Sequence, residues 1–88
     1  MECFVDDDSG YLSWIDRNPD GFVLNTYHTP TSNYLMLHRS SCRTITGTPT
    51  AGSHWTVDYR KFCGNRSDLE QWALEHLGTA VQPCKLCV

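Results

Sequence analysis

The sequence predicts a small α+β domain that contains an antiparallel sheet of about three strands and is stapled by a metal ion. Three observations lead to this prediction: segments with strand-like alternation, one amphipathic segment with helix signals at both ends, and two distant pairs of Cys and His residues. A chain of 88 residues buries only a modest fraction of its surface and commonly needs a staple. We therefore treat residues 1–88 as a single metal-stapled domain.

A short N-terminal helix is the first element that the sequence predicts. Asp8 or Ser9 can cap its start, because both side chains accept hydrogen bonds from free backbone amides. The turn-forming residues of segment 18–21, Asn-Pro-Asp-Gly, end the helix. Between these points the helix offers apolar side chains for packing, namely Tyr11, Leu12, Trp14 and Ile15.

Three strands are expected next. Segments 21–28 and 34–38 are rich in β-branched and aromatic residues, and the turn signals of 29–33 join them as an antiparallel hairpin. Segment 55–62 alternates apolar with polar residues, which predicts a third, half-buried strand. Residues 44–54 are polar and rich in Thr and Gly, so we expect a loop there.

A helix over residues 67–77 is the clearest single element. Ser67 and Glu70 have the spacing of a capping box, and Gly78 is a natural helix stop. One face of this helix is apolar, which predicts that it packs against the sheet. The residues of that face are Leu69, Trp72, Ala73 and Leu77.

Two pairs of soft ligands indicate a metal site. His38 and Cys42 are four positions apart, and Cys84 and Cys87 form a Cys-x-x-Cys pair far along the chain. Each pair can close on one ion from a single turn, and four protein ligands form the closed set of a structural zinc site, whereas a catalytic zinc keeps one position open. We therefore expect Zn²⁺ at His38, Cys42, Cys84 and Cys87, with Cys63 as the alternative to His38.

Other interpretations of the thiols are weaker. Buried free cysteines are common in cores, but Cys84 and Cys87 lie in a short polar tail beside Pro83 and Lys85. A redox role for Cys-x-x-Cys needs a helix directly after the motif, and only Val88 follows in this sequence. The odd count of five cysteines fits a complete disulfide framework poorly, and we expect Cys3 to be a free thiol in a loose N-terminus.

Composition points to a soluble protein of the cytoplasm with no membrane contact. The acidic N-terminus lacks the apolar run of a secretory signal, and no stretch approaches the roughly 20 apolar residues that span a bilayer. The net charge is −3, but it is unevenly distributed: residues 1–37 hold one base and six acids, and residues 38–88 hold six bases and four acids. Candidate nucleic-acid contacts near the ligands are Arg39, Arg43, Lys61 and Lys85.

These ligands and their setting resemble the N-terminal zinc domain of the Ada methylphosphotriester-repair proteins. The similar segments are Leu37 to Cys42, the strand to Phe62, the helix 67–77 with Gly78, and Pro83-Cys84-Lys85-Leu86-Cys87. Segment 18–23 and the acidic residues before the first helix are also similar to the opening of that family. The resemblance implies a zinc-bound α+β domain that meets DNA.

One departure from the family bears on function. In the repair proteins a zinc-bound Cys at the position of His38 accepts the methyl group, and an imidazole bound to zinc has no free lone pair for that reaction. We therefore predict a zinc-stabilised module that contacts nucleic acid and is not an enzyme. A protein-interaction module with a purely structural zinc is the alternative, since three Trp and four Tyr are many for a small core. Alkyl-transfer DNA repair is a third, less favoured candidate function.

Overall fold

A five-stranded mixed sheet with helices on both faces forms the fold, in a computed structural model that describes residues 1–46 and 54–88. The α+β class is therefore as predicted, but the sheet is larger than the three strands expected. The elements, in chain order, are β1 (Glu2–Phe4), α1 (Asp8–Arg17), β2 (Phe22–Tyr27), β3 (Leu35–Arg39), α2 (Arg43–Thr46), β4 (Tyr59–Gly64), α3 (Arg66–Leu77) and β5 (Gln82–Pro83).

The strand order is β1-β4-β2-β3-β5, with β2 at the centre. β2 pairs antiparallel with both β3 and β4, which confirms the predicted hairpin. The two additional strands lie at the edges: β1 pairs antiparallel with β4, and β5 pairs parallel with β3. They contain three and two residues, too few for a period of two to be recognised in a sequence.

The two faces of the sheet carry different cores. Leu24, Leu37 and Phe62 share one face, where they pack with residues of α3. Val23 and Cys63 lie opposite each other on the other face, where they pack with residues of α1 and with two of the predicted ligands. We call the first the α3 face and the second the metal face.

The start of α1 differs from the expected cap. Asp7 is the N-cap, and its side chain accepts a hydrogen bond from the Gly10 amide at 3.0 Å. Asp8, which was expected to cap, instead accepts bonds across the fold from the Thr56 amide and hydroxyl, at 2.8 and 2.7 Å. Ser9 lies within the helix, so neither predicted capping residue performs that role.

The start of α3 also needs a correction, whereas its end is as predicted. Asn65 is the N-cap and accepts from the Asp68 amide at 2.8 Å, so the capping box predicted at Ser67 is not the cap used. Ser67 lies one residue inside the helix, too late to cap it. Gly78 ends α3 in the left-handed region at φ 65°, and its amide donates to the Leu74 carbonyl.

Three further expectations need adjustment. The third strand begins at Tyr59, later than residue 55, because residues 55–58 bend instead of pairing. The predicted loop 44–54 is partly helical, since α2 covers its first residues, and residues 47–53 lie outside the described part. Cys3 is an exposed free thiol, but it lies on β1 and not in a loose terminus. In the described ranges, no helix is long and apolar enough to cross a membrane.

Candidate metal centre

Four side chains from three separate parts of the chain converge at one end of β3. His38 is on β3, Cys42 directly precedes α2, and Cys84 and Cys87 follow β5. One potential ligand atom from each residue lies within 4.8 Å of all the others, which is a group that could hold a metal ion. These are the four residues that the sequence predicts as ligands.

Backbone hydrogen bonds fold each pair into a tight turn. The Cys42 amide donates to the Arg39 carbonyl at 2.9 Å, and the Cys87 amide donates to the Cys84 carbonyl at 3.3 Å. The Cys84 amide also donates to the Leu37 carbonyl at 2.8 Å, which fixes the second turn against β3. The two turns therefore face each other, and the Cys42 and Cys84 sulfurs are 4.0 Å apart.

Arg39 ties the second turn to the first through two contacts with Cys87. Its backbone amide donates to the Cys87 Sγ at 3.3 Å, and its Nε donates to the Cys87 carbonyl at 2.7 Å. An amide directed at a sulfur stabilises the thiolate over the thiol, because the thiolate is the stronger acceptor. The backbone is therefore arranged for a negatively charged ligand at this corner.

His38 has the protonation state and the free atom that a metal ligand needs. The side chain is buried, with 5% of its surface exposed, and its Nε2 has no hydrogen-bond partner among the described residues. Its Nδ1 lies 3.2 Å from the Thr44 hydroxyl. Burial, with a smaller contribution from the Lys61 charge, lowers the His38 pKa to about 4, so the ring is neutral. In metal-bound histidines one ring nitrogen binds the metal and the other forms a hydrogen bond with a neighbour. In His38 the Nε2 is free to bind a metal, and the Nδ1 lies within hydrogen-bond distance of Thr44.

The Thr44 hydroxyl also supports Cys42. It lies 3.0 Å from the Cys42 sulfur, so it can accept from the His38 Nδ1–H and donate to the sulfur at once. Burial would raise the pKa of the Cys42 thiol, but the hydrogen bonds to Thr44 and the neighbouring thiols outweigh it and lower that pKa. Burial raises the pKa of Cys87. A bound cation would favour the thiolate at every cysteine of the group.

Cys63, the alternative fourth ligand, lies outside the group. It is fully buried on β4 opposite Val23, where it packs in the apolar core of the metal face. Burial raises the pKa of its thiol, as expected for an inert core cysteine. The geometry therefore assembles His38, and not Cys63, with the other three residues.

The four basic residues predicted as nucleic-acid contacts have different surroundings. Arg43 is exposed at the start of α2, directly after the first turn, and Lys85 is exposed in the second turn. Arg39 is exposed, but its guanidinium is engaged by the Cys87 carbonyl and lies 5.3 Å from the Phe22 ring centroid. Arg39 contacts the ligand residue Cys87, and Arg43 and Lys85 are each next to a ligand in the sequence.

Lys61 does not reach the surface. Only 2% of it is exposed, and its Nζ donates to the Asn25 Oδ1 inside the metal face. The rings of Tyr11 and Tyr59 lie 5.7 and 5.5 Å from the ammonium. Burial lowers the Lys61 pKa to about 8. Sequence alternation places Lys61 on one face of β4, but it does not reveal that other elements cover that face, so a surface contact was the wrong inference.

No family model, curated protein or solved structure matches this chain. The resemblance to the Ada zinc domain therefore stays a prediction that rests on the ligand spacing and the segments around it. The convergence of the four side chains is a separate observation, and the chemistry of the site follows from that convergence.

Proposed function

We propose that this chain is a zinc-stabilised binding module in which His38, Cys42, Cys84 and Cys87 coordinate one Zn²⁺ ion. The observation that carries the proposal is the convergence of these four ligand atoms within 4.8 Å. Three thiolates and one imidazole are a usual ligand set of structural zinc, and four protein ligands leave no position for a substrate. Thiolate and imidazole are soft ligands, so they do not suit Mg²⁺ or Ca²⁺, which favour oxygen ligands.

The proposed role of the ion is to hold elements that are too short to be stable alone. α2 has four residues and β5 has two, and both flank the ligand turns. An isolated helix of this length does not persist in water. Apparent zinc affinities of roughly 10–16 kcal/mol become folding free energy when the unfolded chain has no site, so the ion would supply what these elements lack.

The proposed partner is nucleic acid, contacted on the outer side of the two turns. Arg43 and Lys85 are exposed there, beside the partly engaged Arg39 and the exposed hydroxyl residue Ser41. Such side chains make most protein contacts with phosphates. The acids of the chain are concentrated in residues 1–37, which leaves residues 38–88 with six bases and four acids, although Asp16 lines a cavity together with Ser40 and Ser41 of the first turn.

Salt titration with a matched control tests this partner. We expect a labelled duplex to bind the zinc-loaded protein at low salt and to weaken with added salt. Replacing Arg43 and Lys85 with Gln should lower the salt slope by about 2, since each lost phosphate contact lowers it by about 1. Arg66→Gln is the control, because Arg66 is exposed on α3 and pairs with Glu70. No binding at low salt, or the same loss in the control, would remove the proposal.

A protein partner is the second candidate, favoured by one observation. Leu86 lies between the two C-terminal ligands and is 64% exposed, the largest exposed fraction among the large apolar side chains of the described residues. If this candidate is right, a partner captured from nuclease-treated extract should be lost with Leu86→Ala and retained with Leu74→Ala. Leu74 is a similarly exposed leucine on α3.

Alkyl transfer is the least favoured activity. His38 occupies the position at which the resembled family carries its methyl-accepting Cys, and the remaining thiolates would have to act in its place. We expect no mass increase after incubation with methylphosphotriester DNA. A gain of one methyl group in the intact mass would establish the transfer.

A further inference from the structure

A groove runs along β3 on the metal face, from the candidate metal centre towards the start of the strand. It consists of two adjoining cavities of about 610 and 170 Å³. Both are lined by Tyr34, His38 and Thr44, so these three residues form a wall common to the two cavities. The larger cavity reaches Lys85, and the smaller one reaches Tyr59.

Three tyrosines form an aromatic cluster beside the groove: Tyr34 and Tyr59 line it, and Tyr27 packs against both. The Tyr27 ring stacks on Tyr34 with centroids 5.3 Å apart, and on Tyr59 with centroids 6.4 Å apart. Tyr27 is 44% exposed. We call these residues the tyrosine patch. The Tyr34 and Tyr59 rings are inclined by 55° to each other, so the exposed part of the Tyr27 ring is the stacking surface that the patch offers to a partner.

Buried polar groups hold the patch in place. The Asn25 Nδ2 donates to the Tyr34 hydroxyl at 3.1 Å, and the Asn25 Oδ1 accepts from the Lys61 ammonium. Asn25 and Lys61 are both almost completely buried. A buried amide and a buried ammonium are costly even when they are bonded, so apolar residues would serve core packing better. The network instead fixes the orientation of Tyr34 on the groove wall.

The charge of the groove favours an anion at its other end. Among the described residues that line the two cavities there is no carboxylate, and Lys85 carries the one full charge. Residues 47–53 also contain no charged residue. Zn²⁺ with three thiolates and a neutral imidazole has a net charge of −1, and the buried Lys61 ammonium on the same face offsets it. The exposed Lys85 is thus left to attract a partner.

We propose that this groove binds an unpaired segment of nucleic acid, with one base stacked on the tyrosine patch and a phosphate held by Lys85. The inference deepens the proposed function and rests on it. Only an unpaired base can expose its face to a tyrosine ring, and stacking beside a cationic contact is how single strands are commonly bound. Tyr34 directly precedes β3 and lies four residues before His38, roughly 14 Å along an extended chain, which suits a short single-stranded segment.

Two oligonucleotides and four variants test the inference by fluorescence anisotropy with the zinc-loaded protein. The probes are a labelled oligothymidine of about ten nucleotides and a duplex of equal length. We expect tighter binding of the single strand. Tyr27→Leu should weaken that binding at least fivefold, since one stacked base contributes about 1–3 kcal/mol, and should leave duplex binding unchanged. Tyr27→Phe keeps the ring and should bind like wild type.

The third variant is the matched control. His76→Leu removes an exposed ring that stacks on Trp72, on α3 at the opposite face of the sheet, and should bind both probes like wild type. Thermal melting of each variant checks that it is folded. Lys85→Gln should weaken single-strand binding and lower its salt slope by about 1.

The outcomes separate this inference from the proposed function. If the duplex binds with a salt slope while the single strand binds no tighter and Tyr27→Leu has no effect, the groove proposal fails and the proposed function stands. If neither probe binds at low salt, both fail. Capture of a protein partner that Tyr27→Leu abolishes, without oligonucleotide binding, would also overturn the groove proposal, because the patch would then be a protein contact.

Discussion

The two faces of the sheet are held together in different ways. On the α3 face, Leu24, Leu37 and Phe62 of the sheet meet Leu69 and Ala73 of the helix. The fully buried polar residue on this face is Thr26, whose hydroxyl donates to backbone carbonyls. The buried set on the metal face includes three cysteines together with aromatic and aliphatic residues of α1. The metal face therefore contains potential metal ligands in its core, whereas the α3 face is held by the packing of apolar side chains.

The difference shows which face depends on something beyond packing. Three buried polar side chains lie on the metal face, namely His38, Asn25 and Lys61. The strand pairing places all three on the side of the sheet that carries α1 and the ligand turns. Buried polar groups stabilise a fold only when their bonding is complete. The His38 Nε2 and three cysteine sulfurs reach that state when they ligate a metal ion, so this face should be the one that fails without it.

Loss of a ligand is the largest expected effect. Cys84→Ser should lower metal affinity by several orders of magnitude and leave the protein largely unfolded at 37 °C, because the ion contributes folding free energy through all four ligands. Circular dichroism melts with and without added zinc measure the change. Cys3→Ser is the control, since Cys3 is exposed and outside the group, and it should match wild type. Equal melting of Cys84→Ser and wild type would contradict the account.

A cavity on the α3 face should cost stability and leave the metal site intact. Leu69 is fully buried, so Leu69→Ala should lower the free energy of unfolding by about 2–5 kcal/mol. Chemical denaturation of the zinc-loaded protein measures this loss, and metal analysis should still give wild-type stoichiometry. If Leu69→Ala also released the metal, the two faces would not be separable in the way proposed.

The α3 face and the ligand pairs could be predicted from the sequence because their signals are local. The apolar residues of 67–77 follow a helical period, and ligands three or four positions apart must share a turn. The role of Lys61 could not be predicted, since alternation assigns a side chain to a face but does not say what covers it. The tyrosine patch joins the end of β2 and the start of β4 to Tyr34, which directly precedes β3. β5 becomes a strand only because β3 lies beside it.

The helix caps also show what a local sequence pattern cannot predict. Asn65, Ser67 and Asp8 all have suitable side chains, and a shift of one or two residues decides which of them caps a helix. Asp8 was expected to bond within α1, but it bonds Thr56, which is 48 positions away. A local pattern cannot show that a distant backbone amide competes for the same carboxylate.

Acid should destabilise the metal face through His38. Burial lowers the pKa of this side chain to about 4, whereas the unfolded chain takes up the proton near 6.5. Between these values the unfolded state binds more protons, so stability should fall as the pH decreases from about 6.5 to about 4, by up to about 3 kcal/mol. Metal release acts in the same direction, because the ligands must be deprotonated.

Melting temperature measured across this pH range tests the effect. His28→Gln is the control: His28 is exposed and lies 3.6 Å from Asp6, away from the metal group, so its loss should leave the pH profile close to that of wild type. A wild-type melting temperature that stays constant between pH 6.5 and 4 would show that His38 is not held neutral in the fold.

Removal of the hydroxyl that supports two ligands should have an intermediate effect. Thr44→Val keeps the shape of the side chain but removes its contacts with the His38 Nδ1 and the Cys42 sulfur. Loss of such a supporting contact commonly lowers metal affinity about 10–100-fold. Competition with a chromophoric chelator measures the affinity, and Thr46→Val on the same short helix is the control. Identical affinities for the two variants would exclude this role of Thr44.

The smallest expected effect distinguishes the observed cap of α3 from the one that the sequence suggests. Asn65→Ala should cost about 1 kcal/mol of stability, because its side chain accepts from the Asp68 amide. Ser67→Ala should have little effect, since Ser67 lies inside the helix. The reverse ranking in urea denaturation would restore the predicted capping box.

X-ray absorption at the metal edge, combined with metal analysis of the purified protein, tests the central claim most directly. The account predicts one zinc ion per chain, with three sulfur ligands at about 2.3 Å and one nitrogen ligand at about 2.0 Å. A folded protein without metal would contradict the account. So would a shell of four sulfurs, because His38 would then not be the fourth ligand of the group that the structure brings together.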